Sequence, residues 1–253
     1  MTNKKKNEID RILEKLEEHG FPFEVELSTF LRGKGWTVKN QVSYIDKETD
    51  KYRTVDIVAT KVITSKPLFT IELIIECKKS VKPWLFYLPH QEPTRAFRML
   101  IPVFQQRLLM GEKKGESIDA DAKVIGTFIE NHYKDVYIKN LATIPFEPFQ
   151  SGKSEVLEAS MQVVKALSYL MEESRERIKE LDLRLSQVFF PVIAFDGHLY
   201  SYTTNKDKDR VQRTNQVLYN FDYVDRPFLI HIITKGHLGF FLDSIDQEIQ
   251  KLS

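Results

Sequence analysis

The sequence predicts an α/β fold in which a mixed β-sheet is flanked by helices. Two patterns lead to this class. Near the N-terminus, two amphipathic helical patterns precede three closely spaced strand patterns. Further along, a long helical pattern at 154–181 precedes residues 188–195, whose near-continuous apolar character suits a strand covered on both faces.

The first two helices are predicted at 7–18 and 22–34. In each, apolar residues recur at helical spacing, and a glycine follows the last turn, where a helix commonly ends. Pro22 suits the first turn of the second helix, because proline lacks the N–H that stays unpaired there. The apolar positions are Ile9, Ile12, Leu13 and Leu16 in the first helix and Phe23, Leu27, Phe30 and Leu31 in the second.

The three strands are predicted at 36–45, 52–60 and 68–77. The polar turn at 46–51 predicts a hairpin between the first two. Because alternate residues of a strand share a face, Val55, Ile57 and Ala59 are expected on one face of the second strand. By the same rule, one buried face of the third strand comprises Ile71, Leu73, Ile75 and Cys77.

Charged side chains interrupt the second and third strands. Asp56 is the one acid in a run otherwise suited to a core, and Glu76 and Lys78 project side by side because they are two positions apart. If the two strands pair as neighbours, Asp56 lies beside Glu76. Since burying charge is costly unless it is paired or holds a metal, two carboxylates and a lysine are predicted to meet at one point.

This constellation suits metal-assisted hydrolysis. Carboxylate oxygens are preferred ligands of Mg²⁺ and Mn²⁺, and such a metal lowers the pKa of a bound water and offsets the charge of a phosphate. Lys78 is placed to orient that water or to stabilise the developing negative charge. A phosphodiester is the natural substrate. A plain ion pair between Glu76 and Lys78 at a strand end is the simpler alternative, and the residues leave it open.

Asp56 followed by Glu76-Cys77-Lys78 resembles the motif of the PD-(D/E)xK, or restriction-endonuclease-like, nuclease superfamily. Val55 replaces the proline of the motif, and the two acids are widely separated. The resemblance covers about residues 21–84, with a weaker echo at 190–197. It implies one domain over 1–253 with an α-β-β-β-α-β core at about 7–88 and 154–197. An insertion at about 90–150 and extra C-terminal strands at about 198–253 complete that domain.

The resemblance also implies an activity and a set of site residues. It implies a Mg²⁺-dependent nuclease, with Mn²⁺ as a substitute, acting on DNA, with RNA not excluded. Asp56, Glu76 and the backbone carbonyl of Cys77 would bind the metal, while Lys78 assists the attacking water. Glu24 stands at a metal-facing position, although acids favour the first turn of any helix. Homodimers are common in the superfamily. The alternative is a non-catalytic nucleic-acid-binding or interaction module that retains the fold.

Candidate nucleic-acid contacts follow the motif. Lys79, Lys82 and Trp84 combine cations with an aromatic ring, a mixture that grips a backbone and stacks on bases, although Trp84 would equally plug the sheet edge. Arg95 and Arg98 lie one turn apart in a helix predicted at 94–110, where they suit phosphate contacts.

The remaining segments complete the predicted layout. Residues 123–130 are expected to form a short strand, and residues 144–152 a loop. A charged, exposed loop is expected at 205–213. The last predicted elements are strands at 221–224 and 228–234 and a closing helix at 239–252.

Composition excludes few functions. The 37 basic and 36 acidic side chains give a net charge of +1, which does not by itself indicate a nucleic-acid partner. The longest apolar runs are too short for a bilayer, and no signal-peptide pattern is present. A single cysteine fits a reducing compartment. A cytoplasmic protein with no membrane association is therefore expected.

Overall fold

The computed structural model describes residues 7–18, 20–64, 69–89, 108–110, 123, 126–133, 140–149, 151–181, 185–205 and 208–251. The helices are α1 (Glu8–Glu18), α2 (Phe21–Gly33), α3 (Glu155–Glu180) and α4 (Leu238–Gln250), and residues 126–133 are also helical. The first six strands are β1 (Thr37–Asp46), β2 (Lys51–Ile63), β3 (Phe69–Lys79), β4 (Trp84–Tyr87), β5 (Leu108–Met110) and β6 (Leu141–Ala142). The other six are β7 (Ile144–Phe146), β8 (Ser186–Asp196), β9 (Leu199–Asn205), β10 (Lys208–Arg213), β11 (Gln216–Tyr223) and β12 (Arg226–Thr234).

The protein is an α/β fold with mixed sheets flanked by helices. The main sheet has the strand order β1-β2-β3-β8-β12-β11-β6. A further strand, β5, pairs with one end of β8. β1, β2 and β3 form an antiparallel meander, whereas β3, β8 and β12 are parallel. A second sheet has the order β10-β9-β4-β7. The sequence did not predict this second sheet.

Helix α3 makes the connection on which the main sheet depends. Because parallel neighbours require a crossover, the chain must travel the length of the sheet between β3 and β8. The Ser154 hydroxyl caps α3 by accepting a hydrogen bond from the Leu157 N–H at 3.2 Å. Val156, Val163 and Leu167 then form part of a fully buried stripe against the sheet. The predicted helix at 154–181 is confirmed.

Two apolar layers cover the main sheet. The first layer lies between the sheet and α2, α4 and residues 126–133, and it contains Ile71, Leu73 and Ile75. The second layer lies between the sheet and α3, and it contains Ile74 together with Trp84 of the second sheet. The alternation predicted for the third strand is confirmed, since odd positions of β3 face the first layer.

The first two strands change faces halfway along their length. Val38 and Ile57 pack in the first layer, whereas Val42 and Val55 pack in the second, although a regular strand would keep each pair on one face. The change occurs at Gln41, which adopts a left-handed φ of 49° and interrupts the alternation. The expectation that Val55 shares a face with Ile57 and Ala59 is therefore wrong.

Several predicted elements in the insertion and the C-terminal half need correction. Residues 126–133 are helical, not a strand, because apolar residues there follow helical spacing towards the first layer. Residues 144–152 contain β7, which pairs with β4. Residues 205–213 contain β10, which forms a hairpin with β9. The strand was not predicted because its charged side chains do not alternate with apolar ones. Residues 108–110 are a strand, and the rest of the predicted helix 94–110 lies outside the described residues.

An ion cluster fixes the β1–β2 hairpin to α3. The Lys165 Nζ lies 3.0 Å from both Asp46 carboxylate oxygens and 2.6 Å from the Glu48 Oε2. The Tyr223 hydroxyl donates to the other Glu48 oxygen at 2.6 Å. The hairpin, the crossover helix and β11 are thereby held together. Among the described helices, none combines the length and apolar character that crossing a lipid bilayer requires.

A buried histidine makes stability depend on pH. His132 is 4% exposed among aromatic rings including Phe190 and Phe241, and burial lowers its pKa from 6.5 to about 4. Because the unfolded chain binds the proton more tightly, stability is complete above pH 6.5 and declines as the pH falls towards 4. The unfolding free energy of wild type should therefore fall at low pH. We expect His132→Phe to reduce this fall by up to about 3 kcal/mol.

Chemical denaturation at pH 4.5 and pH 7.5 measures this effect. The exposed His198 supplies a matched control, and His198→Gln should retain the wild-type decline. An unchanged difference between the two pH values in His132→Phe would show that His132 does not titrate on unfolding.

Candidate active site

Five elements bring polar side chains to one end of the β2–β3 pair. Ile57 and Ile75 are the last paired residues of these strands, so Asp56 and Glu76 follow them on facing strands. Lys78 of β3 lies two positions beyond Glu76. The other contributors are Glu24 in the first turn of α2, Gln41 of β1 and Gln162 of α3.

Asp56 is held by hydrogen bonds to both of its oxygens. The Cys77 backbone N–H donates to the Asp56 Oδ2 at 2.7 Å, and the Gln41 amide donates to the Oδ1 at 3.3 Å. Burial raises the pKa of Asp56, while the Cys77 N–H, the Lys78 charge and the Gln41 amide oppose the rise. The Asp56 carboxylate therefore accepts the hydrogen bond that a backbone carbonyl of β2 would otherwise accept from the Cys77 N–H. This bond fixes β2 against β3.

Glu24 is joined to Asp56 through the Gln41 amide. The Gln41 Nε2 donates to the Glu24 Oε2 at 2.7 Å while it also approaches Asp56. Burial raises the pKa of Glu24, and the charge of Asp56 adds to the rise. Two carboxylates from different elements thus flank a single amide nitrogen. The left-handed backbone of Gln41 aims that amide, and the residue pattern of β1 contains nothing that would have predicted it.

Glu76 is the most deeply buried acid of the group. Its side chain is 3% exposed, and its Oε1 accepts a hydrogen bond from the Lys78 Nζ at 2.9 Å. Its Oε2 is buried and has no hydrogen-bond partner within the described residues. Burial, followed by the nearby charge of Asp56, raises the pKa of Glu76 to about 7. An anion at this position therefore lacks full compensation.

Lys78 is held in place from two sides. Its Nζ donates to Glu76 and, at 3.1 Å, to the Gln162 Oε1 of α3. Burial lowers the pKa of Lys78, but the Glu76 and Asp56 charges outweigh burial and leave the pKa raised. Lys78 is therefore protonated at neutral pH. Gln162 was not predicted as a site residue, because in the sequence it is one polar residue among others in an amphipathic helix.

The donor chemistry of this group fits a hard divalent cation. Within the described residues, no group of three or more histidine, cysteine or acidic side chains is arranged to hold a metal ion. Mg²⁺, however, is commonly held by one or two carboxylates with water and substrate completing its shell. The Glu76 Oε2, which has no partner in the described part of the chain, and the mutual repulsion of Asp56 and Glu76 are features that a cation would relieve. These residues fit Mg²⁺ in donor type, without a three-ligand cage formed in advance.

The remaining candidates have different environments. The Cys77 side chain packs against the first layer, and burial raises the pKa of its thiol, which makes it unsuited to nucleophilic attack. Lys79 is exposed beside the site, and Lys82 is half-buried. Arg95 and Arg98 lie outside the described residues.

Trp84 does not have the exposure expected of a nucleic-acid contact. The ring is completely buried and stacks on Phe195, with ring centroids 4.1 Å apart. A base cannot reach either face of a ring in this position. Trp84 therefore fills the space between the two sheets, which agrees with the alternative that it plugs the sheet.

Comparisons of the chain with protein families, with curated proteins and with solved structures found no match.

Without metal, the buried Glu76 makes the protein less stable as the pH rises. Its pKa is 4.5 in an unfolded chain and about 7 in the fold, so its stabilising effect is complete below pH 4.5 and is lost as the pH rises through 7. We expect Glu76→Gln to raise the unfolding free energy at pH 8, in the presence of EDTA, by up to about 3 kcal/mol, with little change at pH 4.5.

Urea denaturation at the two pH values measures this difference. Glu176→Gln, which removes an exposed acid of α3, is the matched control and should behave as wild type. A Glu76→Gln variant that is no more stable than wild type at pH 8 would contradict the burial of an uncompensated anion.

Proposed function

We propose that this protein is a Mg²⁺-dependent nuclease that hydrolyses phosphodiester bonds of DNA. The observation that carries the proposal is the convergence of Asp56, Glu76 and Lys78 from β2 and β3, with Glu24 beside them. The strand order supports it. The helix α2, the meander β1-β2-β3, the crossover α3 and the parallel strand β8 follow the α-β-β-β-α-β order implied by the resemblance to PD-(D/E)xK nucleases.

Asp56 and Glu76 would hold the metal, with the backbone carbonyl of Cys77 as a further oxygen donor. When bound, Mg²⁺ lowers the pKa of a coordinated water and offsets the charge of the phosphate. Mn²⁺ has the same preference for oxygen and would substitute. The Cys77 N–H anchors the Asp56 carboxylate, and Lys78 anchors that of Glu76, so that neither has to be ordered when a ligand arrives.

Lys78 supplies a fixed positive charge next to the reacting group. Because Glu76 keeps it protonated and Gln162 restrains its position, its Nζ is suited to orient the attacking water and to stabilise negative charge on the phosphate. A protonated lysine cannot accept the proton of that water. In this arrangement Lys78 is therefore an electrostatic and positioning group, not the general base.

Glu24 and Gln41 extend the site, and the charge of Glu24 depends on whether a cation is bound. Burial and Asp56 raise the pKa of Glu24, so a cation nearby would favour its charged form. The Gln41 amide keeps Glu24 and Asp56 together in the absence of that cation. Glu24 is thus a further ligand of the metal or the group that accepts the proton of the attacking water.

A non-catalytic module is the second candidate. One observation favours it: the hydrogen bonds to Asp56 and the ion pair of Lys78 with Glu76 already satisfy most of the polar groups of the site. Such a network would also serve as a purely structural clamp at the strand ends. Cleavage measurements separate the two functions.

Metal-dependent cleavage of plasmid and oligonucleotide DNA tests the proposal. We expect wild-type protein to cleave with Mg²⁺ or Mn²⁺ and to stop when EDTA is added. Asp56→Asn and Lys78→Met should each lower the rate by at least about 100-fold, because each removes a group that stabilises charge in the transition state.

Glu72→Gln is the matched control for these variants. Glu72 lies on the same strand and face as Glu76, is partly buried and accepts a hydrogen bond from Gln187 at 2.8 Å, but it lies four residues, or about 13 Å, from Glu76 along β3. Its variant should cleave as wild type does. Equal rates in wild type and in Asp56→Asn would refute the assignment.

A further inference from the structure

A polar cavity of about 640 Å³ lies at the carboxyl ends of the parallel strands β3, β8 and β12. In open α/β sheets, ligands bind in the crevice beyond these strand ends. The cavity lies within the size range of ligand sites. Its polar lining includes Ser80, Asp196, His198, Arg213, Asn215 and Lys235.

The cavity lies beyond the acidic site in the direction of β3. Ser80 lies two positions beyond Lys78, and Lys79 pairs with Asp196 of β8. Two inter-strand spacings of about 4.8 Å separate β2 from β8, and the cavity also lies three to four residues beyond the level of Asp56 along the strands, so it is about 15 Å from Asp56. This distance corresponds to about four nucleotides along one strand of B-DNA.

The side chains that line the cavity favour an anion. Arg213 is exposed, and its guanidinium forms no ion pair with the described residues. Lys235 lies at the cavity wall, where its Nζ is 2.6 Å from the Glu26 Oε2. His198 is exposed on the same wall, and among the lining residues that the structure describes Asp196 is the one acid. An arginine free to form two parallel hydrogen bonds is well suited to phosphate.

The floor of the cavity depends on a glycine. A Cβ added at Gly197 would stand 2.6 Å from the Ser80 carbonyl oxygen and 2.5 Å from the Phe195 ring. Neither contact is tolerable, because the Ser80 oxygen is backbone and Phe195 is packed against Trp84. The close approach of β8 to the end of β3 therefore requires glycine here and keeps Ser80 at the cavity edge.

We propose that this cavity binds a backbone phosphate of the nucleic-acid strand whose cleavage is proposed above, with Arg213 as its main contact. The proposal rests on the proposed function for the identity of the ligand. It assigns to β10, a strand of the second sheet, a role in substrate binding.

Arg210 provides a matched control on the same strand. Arg210 and Arg213 are both exposed arginines of β10, but they are three positions apart and therefore project from opposite faces. Arg213 lines the cavity, and Arg210 does not. The two substitutions change the net charge equally, so a general electrostatic effect would be the same in both.

Fluorescence anisotropy with a labelled single-stranded oligonucleotide in EDTA, at several salt concentrations, tests the proposal. We expect Arg213→Gln to weaken binding by about 5- to 10-fold and to reduce the slope of log Kd against log salt by about 0.7. Arg213→Lys should bind with intermediate affinity, because it keeps the charge but loses the paired hydrogen bonds. Arg210→Gln should bind as wild type, and thermal melts should show that all variants fold.

The outcomes separate this proposal from the nuclease assignment. Equal affinities of wild type and Arg213→Gln, or equal losses in Arg213→Gln and Arg210→Gln, would overturn the phosphate site even if the wild type cleaves DNA. A selective loss in Arg213→Gln would support the site. If the wild type failed to cleave in the presence of metal, that same loss would leave the cavity as the phosphate site of a non-catalytic module.

Discussion

The pairing of β3 with β8 imposes the constraint on which the rest of the structure depends. Eleven consecutive residue pairs join the two strands, and both faces of β3 are covered. Any charge at the end of β3 must therefore be compensated within the protein. Lys78 compensates one oxygen of Glu76, while the other oxygen has no partner in the described part of the chain.

The elements around β3 each contribute a group that contacts the charged side chains at its end. Asp56 turns its carboxylate to the Cys77 N–H where the ladder between β2 and β3 stops. The face change at Gln41 directs an amide towards Asp56 and Glu24. Helix α3, required for the crossover, presents Gln162 to Lys78. Each contact restrains a charged group and leaves the cluster short of positive charge, which is the condition in which a divalent cation binds well.

Much of the core could be predicted from the sequence because local patterns determine it. Alternation along 68–77 predicted which side of β3 faces each layer, and the positions of Glu76 and Lys78 follow from the same period. The face change at Gln41 could not be predicted, since a left-handed residue other than glycine leaves no mark in a polar stretch. Val55, which pairs with Val42 just beyond Gln41, lies in the opposite layer from Ile57.

The second sheet could not be predicted from the sequence, for a different reason. Its strands come from three separate parts of the chain, and β10 carries charges on both faces, so neither period nor composition distinguishes it from a loop. The strand predicted at 123–130 was wrong because two of the four buried residues that show the helical spacing, His132 and Tyr133, lie beyond the end of the predicted strand. Gln41 and Gln162 belong to the site through long-range contacts alone, which no local pattern records.

The most direct test of the account is anomalous diffraction from crystals soaked in Mn²⁺. The account predicts an anomalous peak in bonding distance of the Asp56 and Glu76 carboxylates, with Lys78 still beside Glu76. The absence of any peak there, with Asp56 still bound to the Cys77 N–H and Glu76 to Lys78 alone, would contradict it.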